Sequence, residues 1–177
     1  MDRNNFAGLR NRGFTLVQLI VSVVVASVLV GLAVPSFSEV IRKARLTSTV
    51  NELVASVHYA RSEAIKRNTD VVVKSKAGNW SNGWTVELSP CVGACVLRDH
   101  EVLASPYTLT GSDAVITYHG NGATEKTSKF VLCYGNTVKA GYVKGLIISF
   151  VGLSRIATDI NGDGIPELNG VNVSSCV

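Results

Sequence analysis

The sequence predicts an α+β fold in which one long N-terminal helix packs on an antiparallel β-sheet or sandwich. Three observations support this prediction. Residues 14–34 hold no charged side chain, apolar residues then recur at helical spacing as far as residue 64, and short β-branched runs follow from residue 71. The chain has 177 residues, of which 46% are hydrophobic and 17% charged. A typical soluble domain carries about 25% charged residues, and a disordered chain carries more, so the composition excludes disorder.

The first element is an apolar helix at residues 14–34. A helix of this length rises about 31 Å, which matches a hydrocarbon core of about 30 Å. Three arginines and one aspartate precede it, and the positive-inside rule then keeps the N-terminus in the cytoplasm. No second run is long enough to return, so we expect a single-pass membrane protein whose C-terminal part lies outside the cytoplasm, in the periplasm or at the cell exterior. The alternative is the apolar region of a secretory signal, which usually spans only about 7–15 residues.

The helix is expected to continue beyond the apolar run. Pro35 removes one backbone donor and is predicted to kink it. Apolar residues then recur every three or four positions, which is the helical period: Leu46, Val50, Leu53, Val57, Ala60 and Ala64. We therefore expect a transmembrane helix over residues 14–37 and an amphipathic helix over 38–68.

The remainder, residues 69–177, is predicted to be a periplasmic β domain. Five runs rich in β-branched and aromatic residues read as strands: residues 71–73, 84–88, 114–118, 130–134 and 146–150. Glycine and asparagine separate them, as turns require. No second helical pattern appears, so the sheet should be antiparallel, with the amphipathic helix covering one face.

Four cysteines, Cys91, Cys95, Cys133 and Cys176, lie in the predicted periplasmic part. An oxidising compartment permits disulfides, and four cysteines allow three pairings. The short spacing makes a bridge between Cys91 and Cys95 plausible, and Cys133 would then pair with Cys176. The alternative is a zinc site with His100, for which the chain lacks a second ligand pair.

Two segments resemble a known family. Residues 12–16 (RGFTL), followed by the apolar helix, are similar to the class III signal of type IV pilins and pseudopilins. Residues 58–68 (HYARSEAIKRN) and 79–86 (NWSNGWTV) resemble the GspH/FimT group of minor pilins. The resemblance implies a type IV pilin-like fold and a leader peptide at residues 1–13. It also implies that prepilin peptidase cleaves between Gly13 and Phe14 and methylates Phe14.

The resemblance further implies a function. The chain would be a structural minor pilin, incorporated with other pilins into the helical fibre of a type IV pilus. One alternative is a minor pseudopilin of a type II secretion system, and another is a pilus-associated DNA receptor for natural transformation. No hydrolase elbow, zinc-protease motif or phosphate-binding loop is present in the sequence, so we do not expect an enzyme.

Gln18 departs from the family pattern, and Pro35 agrees with it. Pro35 stands where these proteins usually carry a kinking proline. Most members carry glutamate where this chain has Gln18. A carboxylate there can pair with a neighbouring subunit's α-amine in an apolar core, whereas Gln18 offers only a neutral hydrogen bond. We therefore expect weaker or position-limited incorporation; the alternative is that glutamine serves equally well.

A DNA site is one further candidate. Some relatives bind DNA through a glycine-arginine-x-arginine motif, and the matching residues 152–155 (GLSR) retain only Arg155. Lys144 could add charge beside it. Removal of residues 1–13, with three arginines and one aspartate, would lower the net charge from +4 to +2. Non-specific affinity depends on the number of phosphates neutralised together, so this charge weakens the prediction.

A calcium site is the other candidate. Asp159, Asn161, Asp163 and Glu167 occupy places one, three, five and nine of a loop that resembles calcium-binding loops. The twelfth place, which holds a bidentate glutamate in an EF-hand, is Gly170. Only a looser site could form, and the alternative is a solvated turn.

Overall fold

The computed structural model describes residues 13–176, except for the side chains of residues 32–36. One helix precedes eight strands: α1 (Leu16–Arg67), β1 (Asp70–Lys76), β2 (Asn79–Ser89), β3 (Val96–His100), β4 (Tyr107–Gly111), β5 (Val115–Tyr118), β6 (Ser128–Tyr134), β7 (Val143–Ile148) and β8 (Ser154–Ile156). The chain divides into two compact units after Val40. We call the second unit, from Ile41 onward, the head.

The first unit contains the N-terminal part of α1, which begins at Leu16 and is assigned as helix through Pro35. The side chain of Pro35 lies outside the described residues, so the predicted kink is not tested. Over the part of the chain that the structure describes, no helix has the length and apolarity needed to cross a membrane. The transmembrane helix expected at residues 14–37 is therefore not confirmed and stays a prediction.

The head is built around the amphipathic part of α1. The six apolar residues of the predicted stripe, from Leu46 to Ala64, are at most 4% exposed. They fall on one face because helical neighbours are three or four residues apart. Burying this face against the sheets removes apolar surface from water, which is the main force that stabilises the head. The predicted stripe is thus confirmed.

Two four-stranded antiparallel sheets cover this face. The first has the order β3-β2-β1-β5 and the second the order β4-β6-β7-β8. Both contribute large buried side chains to one core with the helix, among them Trp84, Tyr118, Phe130 and Leu132. The α+β fold with a long helix on antiparallel sheets is therefore confirmed.

All five predicted strands are present, with shifted ends. The last was expected to reach Phe150, but β7 ends at Ile148. The chain turns there because Gly152 adopts φ of 79° and its N–H donates to Ser149 O at 2.8 Å. Three further strands, β3, β4 and β8, were not predicted.

The C-terminal segment, residues 157–176, covers the outer face of the second sheet. Val173 and Cys176 join Cys133 and Val143 in a second small core. Gly145 lets this segment approach, since a Cβ there would lie 2.8 Å from the Ala157 side chain. The second sheet is thus enclosed on both sides, by α1 and by the C-terminal segment.

Candidate assembly surface

The first unit presents a continuous apolar surface. Between Leu16 and Val30, all valine, leucine and isoleucine side chains are 52–73% exposed, and Phe14 is 83% exposed. A helix that is apolar on every side is stable only when other apolar groups surround it. These side chains are exposed in the single chain, which makes them a candidate contact surface.

The polar side chains of this surface are satisfied internally. The Ser22 hydroxyl donates to Gln18 O, and the Ser27 hydroxyl donates to Val24 O at 2.8 Å. Hydroxyls that bond to the preceding turn of their own helix do not need water or a partner. The surface can therefore enter an apolar environment without leaving these donors unpaired.

Gln18 forms a capping box with Thr15. The Thr15 N–H donates to Gln18 Oε1 at 3.1 Å, and the Gln18 N–H donates to Thr15 Oγ1 at 3.3 Å. These bonds satisfy two amide groups that the first turn of a helix leaves without partners. This capping role of Gln18 was not predicted from the sequence, although threonine three residues before glutamine is its sequence signature. The effect of Gln18 on incorporation stays a prediction.

The predicted cleavage site lies next to the helix start. Gly13 and Phe14 precede Leu16 and are exposed, and a Cβ at Gly13 would meet no atom within 4 Å. The rest of the leader, residues 1–12, lies outside the described residues. Processing between Gly13 and Phe14 stays a prediction.

The cysteines form two disulfides, Cys91–Cys95 and Cys133–Cys176, the pairing that the short spacing favoured. The first closes a local loop in which Cys91 is exposed, and the second is buried and ties the C-terminal segment to β6. Because all four cysteines are bonded, none is left for the alternative zinc site. His100 instead stacks on Trp84, with ring centroids 3.8 Å apart, and its Nε2 lies 2.6 Å from Glu52.

The two residues of the predicted DNA site lie on opposite faces of a sheet. Arg155 is directly opposite Ile147, and Lys144 is directly opposite Leu132. Residues directly opposite each other on paired strands lie on the same face of the sheet. Residues three positions apart on one strand lie on opposite faces. Arg155 is therefore on the face of Ile147, and Lys144 on the other. The structure does not bring these cations together, and DNA binding stays an untested prediction.

The carboxylates of the predicted calcium loop bind backbone N–H groups. Asp159 accepts from Gly162 and Gly164, both at 2.7 Å, and Glu167 accepts from Ile160 at 2.6 Å. The hydrogen bond from the Ile165 N–H is the main cause that lowers the pKa of Asp163. These bonds stabilise the loop as a turn. Among residues 13–176, no group of three or more His, Cys, Asp or Glu side chains is arranged to hold a metal ion, and calcium binding stays untested.

Arg61, in the segment that resembles the family signature, joins α1 to two loops. Its Nε donates to Gly122 O at 2.9 Å, and its terminal nitrogen donates to Val151 O at 3.4 Å. One turn earlier, His58 Nε2 lies 3.0 Å from Ser154 Oγ. The loops fit closely, since a Cβ at Gly152 would lie 2.0 Å from Gly122 O. In the sequence Arg61 is recognisable only as part of a motif, whereas in the structure it positions the β7–β8 hairpin.

Glu63 is a nearly buried carboxylate at the end of α1. Arg67 Nε donates to it at 2.6 Å, and Lys66 Nζ lies 3.4 Å away. The hydrogen bond from Arg67 holds the pKa of Glu63 below its ordinary range, although burial acts in the opposite direction. The charged pair anchors the last turn of α1 at the edge of the core.

The comparisons with known proteins agree with this architecture. Two crystal structures of the type IV minor pilin FimU of Pseudomonas aeruginosa have the same fold. One is 24% identical, with a TM-score of 0.58, and covers 75% of this chain and 96% of FimU. The other, in a second crystal form, is 23% identical, with a TM-score of 0.56, and covers 74% and 99%.

A family model agrees as well. No curated protein matches significantly. The model described as type II transport protein GspH matches residues 49–152, from the amphipathic part of α1 to the β7–β8 hairpin. Since this match spans more than half of the chain, the protein belongs to the GspH family.

Proposed function

We propose that this chain is a structural minor pilin, incorporated with other pilins into the fibre of a type IV pilus. The observation that carries the proposal is the apolar surface of α1 between Leu16 and Val30, exposed on every side and without unsatisfied hydroxyls. Such a surface needs other apolar helices around it, and a helical fibre supplies them. The minor pilin FimU, which shares the fold, supports this assignment.

Processing and anchoring complete the proposal. Prepilin peptidase cleaves between Gly13 and Phe14 and methylates the new N-terminal Phe14. Before assembly, the uncharged run of residues 14–34 spans the inner membrane, with the N-terminus in the cytoplasm and the head in the periplasm. Transfer from lipid to a fibre core gains little from apolar burial, because both are apolar. Packing and a few polar groups then decide incorporation, and the chain acts as a subunit rather than as an enzyme.

A second candidate is a minor pseudopilin of a type II secretion system. The description of the matching family, type II transport protein GspH, favours it. Both candidate functions require the same processed helix. They differ in the fibre that contains the chain. The two disulfides support the pilus, because a subunit outside the cell gains from cross-links that resist unfolding.

The test combines the mature N-terminus with the location of the chain. Mass spectrometry of the membrane-extracted protein should find an N-terminal methylated Phe14. Sheared surface pili should contain the same mature chain. An intact leader would contradict both candidates. Mature chain absent from pili, together with a secretion defect in a deletion strain, would assign the pseudopilus instead.

Gln18 supplies a second test within this proposal. The variant Gln18→Glu keeps a side-chain oxygen for the Thr15 N–H and adds a charge that can pair with a neighbouring α-amine. We expect more of the chain in sheared pili relative to the membrane fraction. Equal incorporation of both forms would show that the neutral residue does not limit assembly. The matched control is Gln18→Leu, which adds no charge and removes the capping hydrogen bond from the Thr15 N–H.

A further inference from the structure

Three tyrosines and three cations form a cluster where the head begins. The members are Arg42, Lys43, Tyr107, Tyr134, Lys139 and Tyr142, which we call the tyrosine–cation cluster. Ring centroids are 5.2 Å apart between Tyr107 and Tyr134 and 5.7 Å apart between Tyr134 and Tyr142. Residues far apart in sequence thus meet at the start of the amphipathic part of α1.

The cations of the cluster lie over the tyrosine rings. The Arg42 guanidinium carbon is 5.4 Å from the Tyr134 centroid. The ammonium groups of Lys43 and Lys139 are 6.0 and 5.1 Å from the Tyr142 centroid. These distances are in the range of cation–π contacts. Lys43 and Lys139 are also exposed, so their charges face the surroundings of the head.

The loop that carries Lys139 and Tyr142 is held in place by backbone bonds. Tyr142 N–H donates to Lys139 O at 3.0 Å, and Gly141 N–H donates to Gly164 O at 2.9 Å. The Lys43 side chain lies along this loop, since a Cβ at Gly141 would be 3.2 Å from Lys43 Cε. The arrangement is therefore preformed and does not need a ligand to order it.

The region holds four cations (Arg42, Lys43, Arg45 and Lys139) and three carboxylates (Glu39, Glu52 and Asp163), an excess of one cation. Arg45 lines a groove of about 370 Å³ together with Tyr107 and Glu52. Glu52 is engaged by Ser48 at 3.1 Å and by His100. Glu39 lies one helical turn before Lys43. Gly141 contacts the loop that holds Asp163, and the Asp163 carboxylate accepts hydrogen bonds within that loop.

We propose that the tyrosine–cation cluster docks on the phosphate headgroups of an anionic bilayer. The inference rests on the proposed function, in which residues 14–34 span the membrane. The uncharged run ends at Ser38, and Arg42 follows four residues later in the sequence. Tyrosines with cations are typical of the membrane–water interface, and basic residues beside a membrane helix attract anionic lipid.

Nucleic acid is the other anion that such a cluster could attract. Base recognition without sequence preference relies on stacking of bases on open aromatic faces. Here Arg42 lies over the Tyr134 ring, and two lysines lie over the Tyr142 ring. Those ring faces are occupied by the protein's own cations, so the geometry favours the lipid surface.

The test uses the full chain reconstituted in two kinds of vesicle, phosphatidylcholine alone and phosphatidylcholine with phosphatidylglycerol. Lysine acetylation is followed by mass spectrometry. Lys43 and Lys139 should react about threefold more slowly in the anionic vesicles. About 1 M salt should abolish the difference, because the Debye screening length falls to ~3 Å at that ionic strength. Lys66, which is 73% exposed, serves as the internal control and should react equally in both.

Matched variants make the result specific. Amide exchange of residues 138–143 should slow in anionic vesicles for the wild type and for Lys66→Gln, but not for the double variant Lys43→Gln/Lys139→Gln. A chain that inserts in both vesicles with equal lysine labelling overturns the docking alone. A chain that sediments with neither vesicle overturns the membrane anchor and the docking with it. Stronger protection by an oligonucleotide than by anionic lipid would overturn the lipid assignment in favour of nucleic acid.

Discussion

Leu29 and Leu53 lie on the same helix, but Leu29 is 62% exposed and Leu53 is 1% exposed. The contrast holds throughout α1. From Leu16 to Val30 the valine, leucine and isoleucine side chains are at least half exposed, whereas the stripe from Leu46 to Ala64 is buried. The second part is apolar on one face only, and the sheets of the head cover that face. The first part is apolar on all faces, and none of the residues described in its own unit covers it.

The comparison shows that apolar residues serve two purposes in this chain. In the head they stabilise the fold of one molecule, because strands of the same chain remove them from water. In the first unit they are available to partners outside the chain. Substitutions should therefore affect stability in one part and assembly in the other.

The largest effect on the head should come from removing its buried disulfide. Cys133 and Cys176 are 43 residues apart, whereas Cys91 and Cys95 are 4 apart. Loop-closure entropy then predicts losses of about 4 and about 2 kcal/mol, respectively. Denaturant unfolding of the two double serine variants, in detergent, measures both. Helicity of the first unit should not change. Equal losses would show that strain or packing outweighs chain entropy.

The second effect tests the two leucines directly. Leu53→Ala should lower the free energy of unfolding of the head by about 2–5 kcal/mol, because the buried site leaves a cavity. Leu29→Ala should change it by less than about 0.5 kcal/mol but reduce the amount of chain in pili. Tryptophan fluorescence in denaturant reports the first quantity, since Trp84 is 1% exposed. A large loss of head stability in Leu29→Ala would contradict the division of roles.

A smaller effect is expected where the loops meet α1. In Gly152→Ala, the new Cβ would lie 2.0 Å from Gly122 O, and φ of 79° disfavours any side chain. We expect a loss of about 2–3 kcal/mol. The control Gly78→Ala shares a positive φ of 74° but meets no atom within 4 Å, so it should lose about 1 kcal/mol. Thermal unfolding of both variants gives the difference, and equal losses would argue against the close contact.

The smallest effect is the pH dependence of the head. The pKa of Glu63 is lowered by Arg67, and that of Asp113 by a hydrogen bond from Lys126. A lowered pKa stabilises the fold above the ordinary carboxylate range, and this contribution is lost as the pH falls below about 4. Denaturant midpoints between pH 7 and pH 3 should fall, and less steeply in Glu63→Gln. Residues 14–38 contain no titrating side chain, so this apolar part of α1 should not respond.

Some of the strands could not be predicted from local patterns. Strands β1, β2 and β6 are rich in β-branched and aromatic residues and were recognisable. In contrast, β3 contains Arg98, Asp99 and His100, and β8 is only three residues long. Such segments are strands because a neighbouring strand supplies their hydrogen-bond partners, as β2 does for β3. Their local preference for extended backbone is weak, so the pairing decides.

The sequence by itself determined the length of α1, its change from an apolar to an amphipathic helix near residue 40, and the residues of the buried stripe. Helical periodicity and charge distribution depend on neighbours within a few positions, so one chain suffices to read them. The capping role of Gln18 was equally local, although it was missed.

Only the tertiary structure decided which distant residues meet. It separated Arg155 from Lys144, placed the C-terminal segment over β6 and β7, and gathered Tyr107, Tyr134 and Tyr142 beside Arg42 and Lys43. These outcomes depend on strand register, and a shift of one residue moves each side chain to the opposite face. Register is set by the summed packing of the whole core, which no local stretch of sequence specifies.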